Sequence, residues 1–382
     1  MSNALSELTV LALNSGSSSL KFGLYRVGAS GADTLFTGVA ELIGEPSGQF
    51  QVRDSQGNML GHDTAPILSQ RDAVIRIGEL FDEARTPAPA AIGHRVVHGG
   101  PKLRQHCLID EKVSQQLECA AAFAPLHTPA AISVIRFAQE HFPGLPQVAC
   151  FDTTFHAGMP DVARVLPVPR ELQSLGIQRY GFHGLSCESI VRQLGDNVPS
   201  RLIIAHLGNG ASVTAVKDGK SIDTSMGLTP SGGVIMGTRS GDLDPGILVY
   251  LMRELGFDAV RLEQMIDHRS GLLGISATSS DMRRLHEASS ENLDARLAID
   301  MFCCSVRKQI AAMIAVLGGV DLLVFTGGIG ENDGEVRASI CAGLSWASIN
   351  LDPAASLGQV KVLASQEDEQ IARHTWTISI AS

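Results

Sequence analysis

From Leu8 to Val27 the chain reads "LTVLALNSGSSSLKFGLYRV": an apolar run ends at Asn14, a Gly/Ser stretch follows, and alternation resumes from Leu20 to Tyr25. That pattern predicts strand, tight turn, strand, with "TLFTGVAELI" as a candidate third strand. The same order returns at "RLIIAHLGNGASVTAVKDGKSIDTS", Arg201 to Ser225, where Gly208-Asn209-Gly210 forms the first turn and a further strand follows Asp218-Gly219. The likeness is one of architecture, not of residues. It predicts two similar α/β domains, each opening with a meander whose first turn faces the other domain, a place where ligand sites are favoured.

Between the meanders, "AAISVIRFAQEHF" has helical periodicity with Pro129 near its start and Pro143 after its end, and "QVACFDTTFH" (Gln147 to His156) reads as a strand. A long helical pattern from Asp294 to Gly319 leads into the strand "DLLVFTGGIGEN". Helix, strand and then a glycine turn is the local order of a nucleotide-contacting loop at a strand's C-terminal end.

Composition narrows the class. With 44% hydrophobic residues but only 5% aromatics and 39 glycines, the cores must be aliphatic and the loops tight, which suits α/β better than an all-β sandwich. No repeat of solenoid length is visible. A net charge of −10 without a Lys/Arg run excludes broad basic nucleic-acid binding. The start, "MSNALSELTVLALNSG", lacks a basic segment, apolar run and cleavage site, and no apolar stretch is long enough to span a bilayer. The seven cysteines lack metal-type spacing, so reduced thiols in a cytoplasmic protein are expected.

Three turns share one chemistry: "NSGSSSLK" (Asn14 to Lys21), "HLGNGAS" (His206 to Ser212) and "GGIGEN" (Gly327 to Asn332). Small residues expose backbone N–H groups where anionic oxygens can be held. Each alone is compatible with an ordinary turn. Thr214 stands where a Walker-type loop ending in Lys220-Ser221 needs glycine, and Val213 replaces the third glycine of a dinucleotide fingerprint. Neither a P-loop nor a Rossmann motif is present.

Five loops place His, Arg or Asp among small residues: "IGHRVVHGG", "APLHTP", "FDTTFHAGMP", "RYGFHGLS" and "MGTRSGDLDPG". Together with "NSGSSSLKF", "HLGNGAS", "DTSMGLTP" and "FTGGIGEN", they resemble the acetate kinase family of short-chain acyl kinases, nearly end to end. The resemblance implies duplicated actin/Hsp70/sugar-kinase-like (ribonuclease H-like) domains around an interdomain active-site cleft. It divides the chain into residues 1–152, joined by 370–382, and residues 153–369. It also implies magnesium, with manganese able to substitute, ATP and ADP as substrates, acetate as acceptor, and a homodimer without nucleic-acid or membrane partners.

Carried over by motif, Asn14 helps hold the metal with Glu367 of "SQEDEQIAR", although Asp368 and Glu369 leave that register open. Ser17, Ser19 and Lys21 sit near the phosphates. Arg95 and Arg239 flank the carboxylate and the transferring phosphoryl group, His183 bonds to that group, His127 lies near it, and Asp152 is the active-site carboxylate. The stretch His206, Leu207, Gly208, Asn209, Gly210 and the stretch Gly328, Ile329, Gly330, Glu331, Asn332 contact phosphate and nucleoside. Asp281, Met282 and Arg283 lie beside adenosine. Val97, Leu126, Phe182 and Pro230 form the acyl pocket.

The chemistry accounts for these residue types. Acetate is already ionised at pH 7 and needs no base; the difficulty is bringing one anion against a polyanion. Two unit charges about 4 Å apart repel by roughly 4 kcal/mol at an effective dielectric near 20. Fixed guanidinium and imidazole groups answer that need, with Asp152 expected to orient an Arg or a metal-bound water. A propionate kinase of the same family remains an alternative, since one methylene is worth only about 1–3 kcal/mol. So does a non-catalytic ATP switch of the actin or Hsp70 type, which has no need of the Arg and His set. A Ser/His/Asp hydrolase is disfavoured because "GLSCE" fails the nucleophile-elbow pattern. Against the family pattern, Ser231-Gly232 replace Leu-Glu, Leu185 and Cys187 replace Thr and His, and Thr128 replaces Asn.

Overall fold

A computed structural model describes residues 7–16, 18–82, 86–124, 128–349 and 359–381. The chain divides into two compact units: residues 1–154 with 366–382, and residues 155–365.

In the first unit, strands β1 (Leu8–Ser15), β2 (Ser19–Gly28), β3 (Gly31–Glu41), β4 (Gln49–Asp54), β5 (Met59–Thr64), β6 (Ala91–Val96), β7 (Cys107–Leu108) and β8 (Gln147–Phe151) form one sheet. Their order is β5-β4-β3-β2-β1-β6-β8-β7. β1, β2 and β3 run as an antiparallel meander, whereas β6 and β8 continue parallel to β1. The period of two sets the faces. Leu11 and Leu13 pack with Val74, Ile77, Val134 and Ala138 from the helices Gln70–Asp82 and Thr128–His141. Asn14 therefore points to the opposite face, which the terminal helix Glu367–Ile380 covers.

The second unit carries β9 (Arg201–Leu207), β10 (Ala211–Lys217), β11 (Lys220–Thr224), β12 (Leu322–Thr326) and β13 (Gln359–Val362) in the order β11-β10-β9-β12-β13. It too is a meander of three antiparallel strands followed by two parallel ones. The inner five strands of the first sheet, β3-β2-β1-β6-β8, repeat that order and those directions. The duplication expected from two hairpin patterns is thus a duplication of topology. One face of the second sheet is closed by the helix Gly184–Leu194, through Cys187, Ile190 and Leu194 against Leu202, Ile204 and Val324. The long helix Leu293–Leu317, N-capped by Asn292, also packs on this sheet, against β9 and β10.

Two segments differ from the sequence expectation. The strand at Gln147 ends at Phe151, and Thr154–His156 form a short 3-10 turn. "GGIGEN" is a helical turn, Gly327–Asn332, rather than an open loop. Among its glycines only Gly327 has positive φ, +79°, and a Cβ there would lie 2.8 Å from the Leu207 carbonyl. Around Gly328 there is open space. Once Gly327 has made the reversal, the next residues are free to wind.

Candidate active site

The first unit gathers one set of expected residues around Arg95, on β6. Its Nε donates to both Asp152 oxygens, at 3.1 and 3.0 Å, and Nη2 donates to Asp152 Oδ2 at 2.6 Å. Nη1 donates to Asn14 Oδ1 at 3.1 Å. Asp152 follows β8 and is fully buried, so it lies beside β6 and its planar carboxylate meets the guanidinium fork. Asn14 is oriented by the same network: its acceptor faces Arg95, and its Nδ2 donates to Glu367 Oε2 at 3.2 Å and Asp368 Oδ1 at 2.9 Å. Glu369, by contrast, is bonded to Arg373.

The electrostatics follow from that crowding. Burial opposes the Arg95 charge, but Asp152, Glu367 and Asp368 hold its pKa above the usual arginine value. Burial, with Glu367 beside it, pushes the Asp368 carboxyl upward, against the Asn14 amide, Lys21 and Arg95. Two neighbouring carboxylates that both accept from the Asn14 amide are a donor set suited to a hard divalent cation. Glu367, Asp368 and Asn14 thus fit the expected metal. Lys21 pairs with Asn14 across the β1–β2 hairpin, and Ser19 accepts from Gly16 N at the turn. Val97 is buried. Ser17, Leu126 and His127 lie outside the described residues.

The second unit gathers the rest around the β9–β10 turn. A Cβ on Gly210 would lie 3.2 Å from Arg239 Nη2 and 3.2 Å from His183 Nε2. His183 Nδ1 meets Ser212 Oγ at 2.9 Å, and the His183 and His206 rings stack with centroids 4.2 Å apart. His206 Nδ1 in turn meets Ser186 Oγ at 2.8 Å. Arg239 Nη1 donates to the carbonyl of buried Pro230 at 2.7 Å, which anchors the guanidinium beside bare backbone. A Cβ on Gly208 would approach Gly328 N and His206 Nε2 at 3.8 and 3.9 Å, so the two glycine segments meet here. Gly237 N donates to the Asn209 carbonyl at 3.1 Å.

Other expected residues have structural partners. Glu331 Oε1 accepts from Gly327 N and Ser365 N, both at 2.9 Å, and Asn332 Nδ2 donates to the Gly328 carbonyl. Ile329 is partly buried and Gly330 is buried, whereas Gly328 is exposed. Asp281 caps the helix Met282–Ala288 and pairs with exposed Arg283 at 2.7 Å; Met282 is buried. Phe182 is buried beside His183. Of the departures from the family pattern, Ser231 bonds to Asp267, Leu185 is buried, and Cys187 lies 3.8 Å from Thr214 Oγ1.

Sequence reasoning left Asp368 as an alternative register to Glu367, and the structure brings both to Asn14; it did not single out Ser212 or Ser186. Asp368 had a signal, since it stands beside Glu367 at a helix start. The two serines gave none, because a hydroxyl partner depends on which histidine the fold brings to it.

Two sheets of one topology, with glycine segments at strand ends and fixed guanidinium, imidazole and carboxylate groups, define an α/β protein of the duplicated kinase type. The family model described as the acetokinase family matches residues 9–373. The chain belongs to that family. It is 42% identical over 364 residues to acetate kinase 2 of Neisseria meningitidis serogroup B, covering 92% of this chain and 90% of the relative. To an acetate kinase of Shewanella woodyi it is 45% identical over 352 residues, 89% and 86% of the two chains. Among solved structures, a Francisella tularensis propionate kinase has a TM-score of 0.88 at 37% identity, covering 97% of this chain and all of that one. An acetate kinase of Porphyromonas gingivalis has 0.85 at 34%, with the same coverage.

Proposed function

We propose that this chain is an acetate kinase, moving the γ-phosphoryl group of ATP reversibly to acetate to give acetyl phosphate and ADP. The observation that carries the reading is Gly210, bare between Arg239 Nη2 and His183 Nε2, each 3.2 Å from where a methyl would stand. A guanidinium and an imidazole brought together at a residue without a side chain suit an anionic phosphoryl group.

The nucleophile is an acetate oxygen, already ionised. It forms a bond to the γ-phosphorus as the bond to the ADP oxygen breaks, and ADP leaves with that electron pair. No base is required. We assign Arg239 and His183 to charge on the transferring oxygens and Arg95 to the carboxylate, with His127 in support. Asp152 holds the Arg95 guanidinium in one plane and serves as its positioning partner, not as a base. Glu367, Asp368 and Asn14 would hold magnesium, which supplies neutralisation of phosphate charge when bound. Phe182, Pro230, Val97 and Leu126 are assigned to the acyl group. Gly208, Asn209 and Gly328 are assigned to the nucleotide.

We assign the protein to the cytoplasm, where its seven cysteines, none in a disulfide, suit reducing conditions. A homodimer is supported by the helix Pro245–Leu255, which has no buried residue and exposes Ile247, Val249, Tyr250, Met252 and Leu255. Hydroxylamine trapping tests the reaction: acetyl hydroxamate forms only with ATP, magnesium and acetate together. The propionate kinase likeness favours a second reading, which a higher kcat/KM for propionate than for acetate would establish.

A further inference from the structure

We infer that His156 is a positioning residue for His183, acting through the Phe182 carbonyl, and that Ser221 fixes the tautomer in which it does so. The inference rests on the proposed role of His183 at the transferring group.

His183 stands at the N-cap of the helix Gly184–Leu194 with φ +58° and ψ +27°. N-cap residues ordinarily have extended backbone, and a side chain in the left-handed region persists only where its surroundings impose it. The peptide plane that sets this angle is the one joining Phe182 to His183. His156 Nε2 lies 3.0 Å from the Phe182 oxygen, and His156 Nδ1 lies 2.8 Å from Ser221 Oγ.

A carbonyl only accepts, so Nε2 carries the proton and the lone pair of Nδ1 receives the Ser221 hydroxyl. Burial keeps the ring neutral, its pKa pushed down to about 4. The ring is also a wall: a Cβ on Gly181, at φ +74°, would lie 2.7 Å from His156 Cγ and Cδ2. His156 thus holds the 181–183 turn by its face and by a directed bond. The result is a fixed φ at His183, from which its ring reaches Ser212 on one side and the Gly210 position on the other. Both His156 nitrogens are engaged, Nδ1 with Ser221 and Nε2 with the Phe182 carbonyl, so its effect travels through one peptide plane.

Three variants and one spectrum test this. Histidine ¹⁵N chemical shifts of the wild type at pH 7 should show His156 as the Nε2–H tautomer; the Nδ1–H tautomer overturns the inference whatever the activity. His156→Phe keeps the ring wall but loses the donor, and kcat for acetyl phosphate formation should fall at least tenfold with KM for ATP within twofold. His156→Gln, which returns an amide donor near the Nε2 position, should recover most of that rate. Ser221→Ala should lower kcat by about threefold or more by letting the tautomer exchange. Wild-type kcat in folded His156→Phe overturns the inference. Should that variant fail to fold, wild-type kcat in Ser221→Ala overturns it instead. A wild type that makes no acetyl phosphate defeats the proposed reaction, while the ¹⁵N spectrum still decides the bond.

Discussion

Asp152 receives Arg95 through two nitrogens, Nε at 3.0–3.1 Å and Nη2 at 2.6 Å, and is itself fully buried. A carboxylate so engaged is spent on holding a guanidinium in one plane. Replacing Asp152 by Asn removes the charge and one of the acceptors. The expected cost is on the order of 3 kcal/mol of stability, read in urea unfolding, and about 10²–10³-fold in kcat. Retention of full activity at saturating magnesium would remove Asp152 from the mechanism.

Asp368 is strained in the opposite way. Burial and Glu367 disfavour its charge, so Asp368→Asn, which keeps the acceptor for Asn14, is expected to raise the Tm of metal-free protein at pH 7 by roughly 2–4 °C. Because a cation that binds the folded state stabilises it by mass action, magnesium should raise the wild-type Tm and leave that of the variant nearly unmoved. Equal magnesium shifts in both would place the metal elsewhere.

Gly210→Ala isolates the site from the core. Its methyl would lie 3.2 Å from Arg239 Nη2 and from His183 Nε2, close enough that both groups must give by a few tenths of an ångström. The Tm should change by less than about 2 °C, whereas kcat should fall at least about tenfold through misplaced groups. A fully active variant would show that this space is not used.

Acid should destabilise the protein through two buried histidines. Burial pushes His94 and His156 down to about 4, below the ordinary value near 6.5. The unfolded chain therefore binds more protons between these limits. Their stabilisation is complete above about pH 6.5 and is lost as pH falls through about 4, on the order of 3 kcal/mol each. Asp368, whose pKa is raised, works in the opposite sense. Tm should fall from pH 7 to pH 4.5, and fall less in His94→Asn. Equal slopes would contradict the assignment.

Much of the fold was legible because alternation and turn chemistry are local. The Asp218-Gly219 turn, with φ of +49° and +78°, sits between two strands as the dipeptide predicts. The common topology of the two sheets follows from the two hairpin patterns only once the parallel strands are added. Those parallel strands are separated by long crossovers with no local signal of which neighbour they choose. The helical state of Gly327–Asn332 was hidden because glycine carries little preference for either outcome.

The candidate site was legible as a set of residue types, not as a geometry. Nothing in the spacing of Arg95 and Asp152 says that they pair. That follows from β6 lying beside β8. Likewise, Asp368 joins Glu367 at Asn14 because both occupy the first turn of a helix that packs on β1.

The proposed reaction depends on fixed cations, rather than a base, to bring acetate and ATP together. The most direct measurement is the rate of acetyl hydroxamate formation at saturating ATP and magnesium in the wild type, Arg95→Ala and Arg239→Ala. A robust wild-type rate and a loss of about 10²-fold or more in each variant are expected. Wild-type rates in either variant would contradict that dependence.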